Sequence, residues 1–153
     1  MEKDKKSWLL RLKNKIWQLV EHRHFKKYEK WASLLIWMGA IYFLSSRSLG
    51  FIAPTDIWQF IIRKMAHMFE YAVLCFLIFR ILRETEKRHY YWNLFWALVF
   101  TVLYAISDEY HQTYTLGRTG TYKDVLVDSS GALVSAWIIF LNHKHKEMLK
   151  KKI

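Results

Sequence analysis

The sequence predicts an all-α integral membrane protein: a four-helix bundle with both termini on the cytoplasmic side, preceded by an amphipathic helix lying in the membrane surface. Three observations predict it. The 153 residues are 53% hydrophobic and 18% aromatic, with five glycines and one proline, too apolar for a small soluble domain and too proline-poor for a disordered chain. The apolar residues fall into four runs. Lys and Arg crowd into some of the flanking segments and avoid others: ten lie in residues 1–30, four in 80–91 and five after Leu141, against five in the two remaining connections. Four crossings put the dense segments on one side, which the positive-inside rule makes cytoplasmic. An odd number would scatter them. The net charge of +11 therefore reads as topology, and no nucleic-acid partner is expected.

Residues 1–30 form a basic arm in which Trp8, Leu12, Ile16, Leu19 and Val20 recur at helical spacing among Lys and Arg, the pattern of a helix lying in an anionic membrane surface. The charged leader is long and no convincing cleavage site follows it, so no signal peptide is expected. The first span covers 31–46, short for a bilayer and introduced by Tyr28 and Trp31 as an aromatic belt. A connection with Gly50 and Pro54 leads into the second span, 65–82, long enough to cross the hydrocarbon core at about 27 Å. The third span, 92–106, runs on through the polar motif that follows it. After a connection holding Gly117 and Gly120, the fourth span covers 125–141. Residues 31–142 then make one membrane domain, and 143–153 a basic cytoplasmic tail. Cys75, the single cysteine, sits within an apolar run, so no disulfide framework is expected.

An even number of crossings has a chemical consequence. The second span begins, the third ends and the fourth begins at one membrane face, and each carries a polar arc there. On the second, Lys64, His67 and Glu70 share an arc with Arg63; on the third, Asp108, Glu109, His111 and Gln112 lie within roughly 160°. On the fourth, Asp124, Asp128, Gly131 and Ser135 lie within about 60°. Charged groups at this depth cost several kcal/mol unless they pair or meet water. They are expected to turn inward and form a cavity open to the outer face. No polar residue is expected to continue the cavity toward the cytoplasmic half, which speaks against a proton-coupled transporter.

Four motifs occur in order: Lys64-x-x-His67-x-x-Glu70-Tyr71, Ser107-Asp108-Glu109-x-His111-Gln112, Arg118-x-Gly120, and Asp124-Val125-x-x-Asp128-x-x-Gly131-Ala132. Together they resemble the VanZ-like family of small bacterial membrane proteins over roughly residues 33–141. The resemblance implies a multi-pass protein of the bacterial cell membrane, and its founding member is associated with resistance to the glycopeptide teicoplanin. It implies no established reaction. Where relatives often read Ser-Ser-Gln-Pro after the first span, this chain has Ser45-Ser46-Arg47-Ser48.

Glu109 and His111, with His67 and Glu70, are the candidate acid–base residues. Lys64, Asp108, Gln112, Arg118, Asp124 and Asp128 are candidates for holding a ligand, the cations suiting a phosphate. Imidazole and carboxylate also suit a divalent ion, but the spacing matches no recognised metal motif, so no metal and no cofactor is assigned. Lys64, Arg63, Arg118 and Lys123 nearly balance Glu70, Asp108, Glu109, Asp124 and Asp128 in charge, so the cluster is able to satisfy itself. Two functions remain open. One is a cell-envelope protein that binds or modifies the headgroup of a membrane lipid or lipid-linked cell-wall precursor, with a glycopeptide link implied by the resemblance. The other is a non-enzymatic binding or assembly protein in which the cluster only holds the helices together. Tyr71 and Tyr110 are expected to pack, and Gly131 to let helices approach closely.

Overall fold

A computed structural model describes residues 28–46, 57–85, 89–114 and 121–152, apart from the side chains of Gln59, Phe60 and Thr85. The interfacial arm expected at the amino terminus, the connection holding Gly50 and Pro54, and the loop with Gly117, Arg118 and Gly120 lie outside the described residues. Among the described residues there are four helices: α1 over 28–46, α2 over Ile57–Thr85, α3 over Tyr90–Gln112 and α4 over Tyr122–Lys150. No strand occurs among the described residues. Helix α3 continues unbroken through the polar motif, and α4 carries the helix through most of the basic tail.

Three segments among the described residues are long and apolar enough to cross a membrane, Ile61–Glu84, Tyr90–Gln112 and Tyr122–Lys150. Helix α1 falls short of that measure because it opens on Glu29 and Lys30 and closes on Ser45 and Ser46. Its contacts nevertheless run the height of the bundle. At one end Arg80 of α2 donates to Glu29 at 3.1 Å and Lys30 pairs with Glu84. At the other, Ser45 reaches the end of α3. Between them the Trp37 indole donates to the Glu70 carbonyl at 3.0 Å, and the Tyr104 hydroxyl to the Met38 carbonyl at 2.8 Å. Helices α1 and α3 therefore run antiparallel to α2 and α4, and the end of α1 joins the polar face. Tyr104→Phe is expected to lose one interhelical hydrogen bond, worth about 0.6–1.7 kcal/mol, read as a small drop in melting temperature in detergent.

The bundle turns its apolar bulk outward. Leu35, Ile36, Phe69, Phe95, Leu133 and Ile138 are all largely exposed, an outer surface suited to hydrocarbon and unsuited to water. Inside, small residues dominate. Ala97 and Ala105 lie on the buried stripe of α3, and Gly131, Ala132 and Ala136 on that of α4, allowing backbones to approach. The closest approach is between Gly131 and Met68. A Cβ added at Gly131 would stand 2.9 Å from Met68 Cα and closer still to its carbonyl oxygen. Cys75, Phe79, Leu94 and Ile139 fill one core among α2, α3 and α4; Leu34, Ile41, Tyr71 and Leu74 fill another under α1.

The buried face of the bundle does not turn wholly apolar beyond the polar end. Asn93, Thr101 and Ser135 are buried on it, and Cys75 lies beside Thr101 and Ser135. These residues look apolar in a hydropathy run because they are small or isolated, yet all lie on the inward stripe. The expectation of no further polar residues toward the cytoplasmic half is corrected to this extent: Asn93 and Thr101 add to Ser135, which already belonged to the arc of the fourth span, and none of the three is ionisable.

Candidate functional site

The helix geometry brings the polar arcs of α2, α3 and α4 together, with the end of α1 added to them. Asp108, one turn before the end of α3, is only 4% exposed and is held from three helices. The Ser45 hydroxyl of α1 donates to its Oδ1 at 2.6 Å, while the Tyr71 hydroxyl of α2 and the Gln112 amide of α3 donate to Oδ2 at 3.3 and 3.0 Å. A carboxylate offers about four lone-pair sites. Three are filled here by protein donors, so Asp108 is a fixed hub at the junction of α1, α2 and α3. Gln112, a ligand candidate by sequence, is its partner.

Glu109, next in sequence, turns toward α4. Its Oε2 accepts the Thr121 amide at 3.1 Å, and Thr121 is the residue that precedes the first turn of α4. The first amides of a helix lack intrahelical acceptors and carry the positive end of its dipole, so a carboxylate there is stabilised. The Thr121 hydroxyl donates to Asp124 Oδ2 at 3.1 Å, and Asp124 is ion-paired with Lys64 of α2. Lys64 and Asp124 thus close one side of the cluster. Asp128, one turn below Asp124, is 2% exposed and stands within electrostatic reach of His67, Glu109, Asp108 and Asp124. His67 Nδ1 lies 3.3 Å from the Glu70 carboxylate without the alignment of a hydrogen bond.

His111 points elsewhere. Its Nε2 shares a hydrogen bond of 3.0 Å with the Tyr42 hydroxyl, and the two rings stand 4.5 Å apart. Its Nδ1 is buried without a hydrogen-bond partner among the described residues. Glu109 and His111 therefore have separate partners, on α4 and α1, as their 160° separation around α3 requires. Among the described residues no group of three His, Cys, Asp or Glu side chains converges closely enough to hold a metal ion. Arg118 lies outside the described residues.

The sequence reading did not find Ser45, Tyr42 or Thr121, and it expected Tyr71 only to pack. Tyr71 instead places its hydroxyl on Asp108, whereas Tyr110 meets Tyr114 at the exposed surface. A signal for Ser45 was present: it stands where α1 must end on the same face as the other polar arcs. The family model for VanZ/LLP1 matches residues 6–143. This chain belongs to the VanZ/LLP1 family. No curated protein and no solved structure shows a significant match. For this VanZ/LLP1 protein, three of the motifs that carry the resemblance supply the charged residues of the polar cluster, Lys64 and His67 on α2, Asp108 and Glu109 on α3, and Asp124 and Asp128 on α4, and the fourth, Arg118-x-Gly120, lies outside the described residues. Substituting Lys64 by Met is expected to leave Asp124 as a half-buried, unpaired carboxylate. The result is a clear fall in thermal stability, partly restored by the double substitution with Asp124→Asn, as a double-mutant cycle in detergent measures.

Proposed function

We propose that this membrane protein binds the polar headgroup of a lipid or lipid-linked cell-wall precursor in the cluster at the shared end of α2, α3 and α4, and acts on it by proton transfer. The observation that supports this reading is the density of ionisable groups. Asp108, Glu109, Asp124 and Asp128 are gathered with His67 and Lys64 at one end of a membrane bundle, where each costs several kcal/mol if unused. Within the cluster the roles divide. Asp108 is saturated by Ser45, Tyr71 and Gln112 and serves as a fixed anchor. Glu109 has only a backbone amide on one oxygen among the bonds described, and His111 keeps Nδ1 unengaged, so these two remain the proton-transferring candidates, each from its own side. The positive-inside pattern supports an outer-face position for the cluster, where a cell-wall precursor and a glycopeptide would meet it.

The test is chemical analysis of what the protein retains. Purified in a mild detergent, the unaltered chain is expected to carry a stoichiometric phosphorylated lipid, and the Glu109→Gln and Asp128→Asn variants are expected to lose it while keeping their helical content. Equal recovery from all three would defeat the reading. A second reading, that the cluster is purely structural, is favoured by the saturation of Asp108. It requires Glu109→Gln to lower the melting temperature and to leave the retained lipid, and any change in teicoplanin susceptibility on expression, unaltered.

A further inference from the structure

On the outer side of the bundle, between α2 and α4, an apolar groove of about 460 Å³ descends from the level of the polar cluster. Met65, Phe69 and Phe76 line it from α2, and Gly131, Val134 and Asn142 from α4. It exists because Gly131 has no side chain: the helices touch there through backbone, and the larger side chains on either side form the walls. The wall residues span 65–76 on one helix and 131–142 on the other, about 16 Å of rise. Spread over that length, the volume gives a cross-section of roughly 30 Å², matched to a single extended hydrocarbon chain laid along the groove.

The upper end of the groove is charged. Lys64 and Asp124, ion-paired across α2 and α4, stand one residue and two turns above Met65 and Gly131. Lys123, exposed, precedes Val134 by eleven residues, so helical phase sets it within about 20° of Val134 and about 16 Å higher. Its stem is long enough to rise along the apolar surface with the ammonium in the interface. Lys64 and Asp124 neutralise one another, which leaves Lys123 as an exposed cation above this wall and the complement of a phosphate. The lining itself is almost entirely apolar, with Ser135 and Asn142 its polar members.

We infer that this groove seats one acyl chain of an anionic phospholipid, with the phosphate held at its mouth by Lys123 and the Lys64–Asp124 pair. The inference names the lipid class of the headgroup reading, on which it rests for the position of the head. The bilayer supplies hydrocarbon everywhere; the groove and the charge above it select where one chain stays and which head it carries.

The full chain, reconstituted in phosphatidylcholine vesicles containing a small fraction of phosphatidylglycerol with a diazirine at mid-chain, tests this by irradiation and peptide mapping. Label is expected to concentrate several-fold on peptides covering 65–76 and 131–142 over the equally exposed Phe95 and Phe100 face of α3. Val134→Trp or Ile138→Trp, both at lipid-exposed positions that leave the core intact, is expected to cut that label several-fold. Phosphatidylcholine bearing the same diazirine chain is expected to label the groove less, and Lys123→Ala to remove the difference. Even labelling of all outer faces overturns the inference, as does equal labelling by the two lipids. The two readings fail separately. Even labelling together with loss of retained lipid in Asp128→Asn sinks the groove and spares the polar cluster. Concentrated labelling with no effect of Asp128→Asn on retained lipid supports the groove and sinks the headgroup reading.

Discussion

Gly131→Val is expected to unseat α4 from α2 and to be among the most destabilising single changes in the protein. The atoms that an added side chain would meet are the backbone of Met68, which no rotamer change moves aside. Relief requires the two helix axes to separate. Overpacking in a well-filled core costs about 1–3 kcal/mol when side chains yield, and rigid backbone sets Gly131→Ala toward the top of that range and valine beyond it. Separation would also loosen the contacts of Ala132, Ser135 and Ala136 along the same stripe, and would draw Lys64 from Asp124. The measurement is thermal unfolding in detergent. Gly39→Ala provides the contrast, because nothing lies within 4 Å of a Cβ there. That change is expected to be neutral or to stabilise by up to about 1 kcal/mol, the helix-propensity difference. Equal melting temperatures for Gly131→Ala and Gly39→Ala would show that the close approach of α2 and α4 is not as described.

The second large effect is expected at Asp108. Asp108→Leu removes the acceptor of Ser45, Tyr71 and Gln112 together. Each buried donor left without a partner costs about 1–3 kcal/mol. The three do not contribute equally. The Ser45 hydroxyl also lies 3.0 Å from the Tyr42 carbonyl and can turn to it, so Ser45 yields little. Tyr71 is completely buried and has no such retreat among the bonds described. The expected total is on the order of 3–5 kcal/mol, enough to bring a marginally stable domain close to unfolding. Tyr71→Phe and Ser45→Ala each remove one donor while two others still hold the carboxylate, and are each expected to cost less, about 1–2 kcal/mol. The ranking is the sensitive part. If Ser45→Ala proved as damaging as Asp108→Leu, the carboxylate would not be the hub of this junction.

These two residues also mark how far the sequence could be read. The small-residue contact at Gly131 was legible, because glycine, alanine and serine at helical spacing on one face mean close packing in a membrane. The convergence of α2, α3 and α4 was legible too, since helical phase fixes the arcs and an even number of crossings fixes their common level. What helical phase cannot supply is the partner chosen across the bundle. Ser45 and Asp108 are 63 residues apart, and Tyr42 and His111 are 69 apart; rotation and tilt of α1 decide those contacts, and neither is a local property. Asp108 and Glu109 are neighbours on one turn, read from the sequence as a ligand-holding and an acid–base candidate. One became an anchor for three helices and the other a partner of the α4 terminus, because 100° of rotation directs them to different neighbours. Asn93 and Thr101 were passed over for a different reason: hydropathy averages over a window and hides single polar residues on the inward stripe.

The hydrogen bond from the Thr121 amide to Glu109 fastens the start of α4 to the end of α3. One carboxylate thereby serves both as a member of the cluster and as a clasp between two helix ends, so altering its charge also alters how α4 is seated.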